Sequence, residues 1–77
     1  LTLNIGTLTG KTFPVQVMSS DTVGEVKWRI YEEEGIPVEA QILVFREKAL
    51  VDDEATVGEC GIRMGCTLQL VLQMMGG

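Results

Sequence analysis

The sequence predicts an α+β fold in which one helix packs on a mixed sheet of four to five strands. Three observations carry this: a pair of alternating segments joined by turn chemistry, a central amphipathic segment with helix start and stop signals, and a last alternating segment.

Leu1, Leu3 and Ile5 alternate with Thr2, Asn4 and Gly6, the period-two signature of a strand with one buried face. Thr7-Leu8-Thr9-Gly10 interrupts it, and Gly10 suits the positive φ of a hairpin turn with a bulge. Phe13, Val15 and Val17 then alternate with Thr12, Pro14 and Gln16. Because Pro14 has no N–H, this second strand is expected at a sheet edge. Ser19-Ser20-Asp21-Thr22 supplies capping residues, and Thr22-Val23-Gly24-Glu25 fits the capping box. Val23, Val26 and Ile30 follow at helical spacing with Lys27 on the same side; Gly35 and Pro37 then stop a helix spanning about residues 22–34. A third strand buries Leu43 and Phe45 and turns Ile42 and Val44 outward, with Arg46-Glu47 as the turn before Lys48-Ala49-Leu50. Residues 51–61 read as loop, with Leu50, Val57 and Ile62 as anchors. The last strand, 66–72, is expected to bury Leu68, Leu70 and Leu72 and to show Thr67, Gln69 and Val71. In all, about fourteen apolar side chains point to one core.

The length of 77 residues fits one domain, residues 1–77, near the lower size at which a single core offsets chain entropy. With 45% hydrophobic and 22% charged residues the composition is that of a folded domain. A formal charge of −5 argues against nucleic acid as a partner, since phosphate neutralisation needs a basic surface. There is no histidine, which removes the commonest general base and metal ligand, and no glycine-rich phosphate loop appears. Asp52-Asp53-Glu54 reads as an exposed acidic turn without calcium-loop spacing. Cys60 and Cys66 complete no zinc set and are expected as reduced thiols. No apolar run approaches the roughly 20 residues of a membrane helix, and no signal peptide is evident. These features point away from an enzyme, a cofactor, a metal or a membrane, and toward a soluble monomer of the cytoplasm or nucleus.

Several surface features bear on function. If the strands are neighbours, Leu8, Ile42, Val44 and Val71 form one exposed apolar patch of the kind that marks a partner site. Trp28 and Tyr31, three apart on the helix, form either an exposed aromatic pair or a cover over the core edge. Glu32-Glu33-Glu34 opposes the helix dipole, as a solvated acidic face or a partner contact. Met74-Met75 makes the tail apolar and adaptable, and Gly76-Gly77 leaves the last peptide without side chains, so that a narrow enzyme channel can close around it.

Across nearly the whole chain, Thr7-Leu8-Thr9-Gly10-Lys11-Thr12, Ser20-Asp21-Thr22, Val26-Lys27, Glu34-Gly35-Ile36-Pro37, Leu43, Phe45, Lys48, Leu50, Thr67-Leu68, Leu70-Val71-Leu72 and the final Gly-Gly resemble ubiquitin. The match in spacing is interrupted by one extra residue within residues 51–55. The resemblance implies a ubiquitin-like β-grasp fold. It further implies that Leu8, Val44 and Val71 form a recognition surface for ubiquitin-binding domains, the proteasome or ubiquitin-pathway enzymes, with Gln69 in place of the family histidine. Where ubiquitin carries arginines this chain has Ile42, Gln73 and Met75, so those guanidinium contacts are lost. Of the family's lysine positions, Lys11, Lys27 and Lys48 remain as candidate acceptors, while Gly6, Arg29, Glu33 and Met64 occupy others. Leu1 stands where the family has its initiating methionine, which reads as a domain within a longer protein, with 73–77 as a flexible diglycine tail. The first functional expectation is therefore a ubiquitin-like interaction domain of the ubiquitin–proteasome system, docking through Leu8, Ile42, Val44, Gln69 and Val71. The alternative is a protein modifier conjugated through Gly76 and the carboxylate of Gly77 by a dedicated activating enzyme.

Overall fold

Alternation in the sequence becomes a five-stranded sheet in the computed structural model, which describes residues 1–73. The strands are β1 (Thr2–Thr7), β2 (Thr12–Gln16), β3 (Gln41–Phe45), β4 (Lys48–Ala49) and β5 (Thr67–Leu72), in the order β2-β1-β5-β3-β4. β1 and β5 run parallel in the centre, and the other pairings are antiparallel, so the sheet is mixed. The expected tail falls largely on residues 74–77, outside the described residues. Pro14 lies on β2 at the sheet edge, where the ladder can do without its N–H. Gly10 turns the β1–β2 hairpin with a φ of 88°.

The helix α1 (Val23–Glu34) starts and stops where the sequence signals lie. Thr22 Oγ1 accepts from the Glu25 N–H at 3.2 Å, and the Glu25 carboxylate accepts from the Thr22 N–H at 3.5 Å. At the other end Gly35 adopts a φ of 73° and donates its N–H to Tyr31 O at 2.7 Å. Glu34, unfavourable at a helix C-terminus, is offset by Lys11 Nζ at 2.6 Å. Val23, Val26 and Ile30 face the sheet and meet Leu3, Ile5, Phe13, Val15, Leu43, Phe45, Leu68 and Leu70 in a single core. Val57 and Ile62, the expected loop anchors, close that core, while Leu50 is only partly buried against it.

Two polar residues enter this core with their partners. Lys27 is 8% exposed, with Nζ on the Asp53 carboxylate at 2.8 Å. Gln41 Nε2 donates to Lys27 O and to Ile36 O, both at 2.9 Å, which ties the first residue of β3 to the helix and to the chain beyond it. Lys27 Nζ and Gln41 Nε2 are thus paired, as buried polar groups need to be, whereas Gln41 Oε1 is buried with no hydrogen-bond partner among the described residues.

The long loop is held by a repeated tetrapeptide. Thr22-Val23-Gly24-Glu25 recurs as Thr56-Val57-Gly58-Glu59, and the copies meet at an antiparallel bridge between Thr22 and Thr56. Val23 N donates to Ala55 O and Val57 N to Asp21 O; Gly24 N donates to Asp53 O and Gly58 N to Ser19 O. Each Thr-Glu pair closes the same reciprocal bonds, at 2.9 and 3.1 Å in the second copy. A Cβ at Gly24 would stand 3.3 Å from Asp53 O, and one at Gly58 the same distance from Ser19 O, so both positions favour glycine. Bonds from Thr56 hold the Glu59 carboxyl below the usual carboxylate range. Because the folded value is the lower one, the stabilisation is present above the unfolded pKa and lost as pH falls through the folded value.

In one place the structure departs from expectation. Leu72 is 52% exposed rather than buried, because α1 ends at Glu34 and this end of β5 is left without a helical cover. The Arg46-Glu47 turn stands where the sequence placed it, with φ of 52° and 68°, the left-handed pair a two-residue hairpin requires, although neither residue is glycine or asparagine.

Cys60 and Cys66 carry free thiols, both half-buried against the core. Burial, then the negative charges of Glu59 and Asp52, push the Cys60 thiol up. In a Cys66→Ser variant, Cys60 is expected to react with iodoacetamide more slowly than free cysteine at mildly alkaline pH, with its rate profile displaced to higher pH. A profile coincident with that of free cysteine would contradict this environment.

Candidate partner-binding face

Successive side chains of a strand point to opposite faces, so burying Leu43, Phe45, Leu68 and Leu70 under α1 obliges their neighbours to face the other way. The pairing of β3 with β5 sets Ile42 opposite Val71 and Val44 opposite Gln69. On the far side of β3, Val44 is opposite Ala49 of β4. On the far side of β5, Gly6 of β1 is opposite Gln69. A Cβ on Gly6 would meet the side chains of Thr67 and Thr12, so its bare position belongs to this same outer face. Ile42, Val44 and Val71 are half-buried and Gln69 is exposed. The result is an apolar centre bordered by Gln69, Gly6 and Thr67, on the sheet face opposite the helix.

Leu8 belongs to a second surface. At the tip of the β1–β2 turn it is 76% exposed, and it lines a groove of about 400 Å³ with Lys11, Ile36, Leu70 and Leu72. The lining of this groove adjoins Ile42, Val44 and Val71 along β5, where Leu70 and Leu72 flank Val71. Ile36 and Leu72 were not among the expected site residues. An apolar residue directly after a helix-stopping glycine is the signal that points to Ile36, since such residues commonly pack back on the last turn.

The candidate acceptor lysines differ in setting. Lys27 is buried and paired with Asp53, and Lys11 is held by Glu34 and lies 5.8 Å from the Phe13 ring centre. Lys48 is exposed on β4, with no carboxylate within ion-pair distance among the described residues. Gly76 and Gly77 lie outside the described residues. The last described residue, Gln73, is exposed and donates its N–H to Ala40 O at 2.7 Å, carrying the β3–β5 association one residue past the strand. Among the described residues no group of acids and cysteines is arranged to hold a metal, and no helix is long and apolar enough to cross a membrane.

A family model described as the ubiquitin family matches residues 3–75. NEDD8-like protein RUB1 of Saccharomyces cerevisiae is 40% identical over 75 residues, covering 97% of this chain and 96% of that protein. Ubiquitin-like protein NEDD8 of Dictyostelium discoideum is 37% identical over the same shares of both chains. AN1-type zinc finger protein 4 of Mus musculus is 43% identical over 97% of this chain but only 10% of its own length. None of these relatives is an enzyme by name.

Proposed function

The chain belongs to the ubiquitin family, and on that footing we propose that it is a ubiquitin-like protein modifier, conjugated through the carboxylate of Gly77. It is not an enzyme itself; its family implies dealings with the enzymes of the ubiquitin pathway. The observation that carries the modifier reading is the end-to-end correspondence with RUB1 and NEDD8, which covers 96% of each of those proteins. The chemistry of the terminus supports it. ATP would convert the Gly77 carboxylate to an acyl adenylate with release of pyrophosphate, an enzyme thiolate would displace AMP to form a thioester, and a target amine would then displace the thiol. Two glycines let the acyl carbon enter a channel that any side chain would block. Gln73 stands where ubiquitin has an arginine, so the activating enzyme must recognise this segment without a guanidinium fork. A cytoplasmic or nuclear setting follows from this reading.

The test is thioester formation in a lysate of the source organism. An ATP-dependent adduct that is cleaved by thiol reductant and lost in a Gly77→Ala variant is the expected result. Absence of the adduct, or coding sequence beyond Gly77 that is never removed, would sink the proposal.

A second reading is favoured by a separate observation, the match to a short part of AN1-type zinc finger protein 4. In it the chain is an interaction domain of a longer protein and docks on ubiquitin receptors or the proteasome through Ile42, Val44, Gln69 and Val71, with Leu8 on the adjoining groove.

A further inference from the structure

We propose that the outer side of α1, centred on Trp28 and Tyr31, is a second docking site, and that its occupant is an arginine-bearing basic segment of a partner protein. Three of the helix's apolar residues, Val23, Val26 and Ile30, are buried against the sheet. Its two largest side chains are not: Trp28 is 54% and Tyr31 43% exposed. They are stacked on each other rather than on the core, with ring centres 5.3 Å apart and planes tilted by 35°. Together with Pro37, Val38 and Glu39 they line an open hollow of about 440 Å³. Leaving about half of each ring in water forgoes part of the large burial energy that aromatic side chains offer.

The charges around the rings select the occupant. Glu25 and Glu32 lie three residues before and four after Trp28, on the same helix face, and both are exposed. Glu39 lines the hollow itself. Among the described residues no cation of this chain pairs with Glu25, Glu32 or Glu39; Arg29, adjacent to Trp28 in sequence, reaches Asp21 at 3.7 Å instead. An aromatic pair bordered by carboxylates attracts a cation to the ring face and to the acids at once. The open tilt of the rings suits a flat guanidinium better than a compact ammonium, because the guanidinium is weakly hydrated and stacks on aromatic faces. A second copy of this chain, itself carrying −5, is repelled from the same surface. The helix lies on the sheet face opposite Ile42, Val44 and Val71, so the two sites can be filled together.

Trp28 is the sole tryptophan, and its fluorescence reports directly on the site. The 77-residue chain is titrated with a capped Gly-Arg-Gly-Arg-Gly-Arg-Gly peptide and with its lysine and glutamate counterparts. A saturable change is expected with the arginine peptide, a weaker one with lysine and none with glutamate. The apparent affinity should fall severalfold as sodium chloride rises from about 20 to about 300 mM. Tyr31→Ala and Glu39→Gln, with folding verified by circular dichroism, should each weaken the arginine peptide by about threefold or more, and Val51→Ala, at an exposed loop position, should leave it unchanged. Equal responses to the three peptides, or unaltered binding in both variants, would overturn the proposal. So would a change on concentrating the protein alone, which would assign the face to self-association.

Discussion

Leu43→Ala is expected to lower the free energy of unfolding by about 2–5 kcal/mol, the range for a buried leucine whose cavity collapses only partly. Leu43 is fully buried on β3, opposite Leu70 of β5, and its carbonyl accepts the Leu50 N–H. Strands on both sides of β3 and the helix above it are hydrogen-bonded into place, so the void cannot close by a simple shift. A domain this small has a total stability at the low end of roughly 5–15 kcal/mol, and the loss is therefore a large part of the whole. Urea unfolding read by far-ultraviolet circular dichroism measures it. Fluorescence is the poorer probe, since Trp28 is already half in water in the folded state. With a urea slope of about 1 kcal/mol per molar, the midpoint should fall by at least about 2 M. A fall of less than half that would mean that the core repacks around alanine. The control is Val51→Ala, at an exposed loop position, where a change of no more than about 0.5 kcal/mol is expected.

What the sequence carries about this fold is set by how local each cause is. Alternation at Leu3 and Ile5, the capping box at Thr22 and the stop at Gly35 depend on residues within one turn or one strand, and the structure has them where the pattern put them. Leu72 obeys the same alternation, yet alternation gives only the side of the sheet; depth depends on whether the helix extends over it. Lys27 and Gln41 occupy interior positions because their partners arrive from afar, Asp53 from 26 residues away in the first case. The second Thr-Val-Gly-Glu is hard to read as a companion of the first, since only contact between Thr22 and Thr56 gives it that role. The candidate site divides along the same line. Ile42, Val44 and Val71 share a face through strand periodicity and one pairing. Leu8, Ile36 and Leu72 come together only through the turn, the helix end and the strand end meeting in space.

Val44→Asp addresses the outer sheet face, and its expected effect is a loss of binding with little loss of fold. Val44 is half-buried between Gln69 across β5 and Ala49 across β4, on the side that α1 does not cover. A carboxylate there can stay hydrated in the free domain, so the cost to folding is the difference in strand preference, on the order of 1 kcal/mol or less. Once an apolar partner covers the face, that carboxylate must give up water beside Ile42 and Val71, neither of which can hydrogen-bond to it. A penalty of about 2–3 kcal/mol, a typical value for disrupting an interface centre, lowers affinity by roughly 30- to 150-fold. Chemical-shift titration with a ubiquitin-interacting helical peptide should therefore show saturable shifts at residues 42–44 and 69–71 in the native chain, and none at the same concentrations in the variant. Equal titration of both proteins would remove this face from the partner-binding account. Because Gly77 chemistry is read by a separate thioester assay, that outcome would leave the modifier reading standing and count only against the interaction-domain reading.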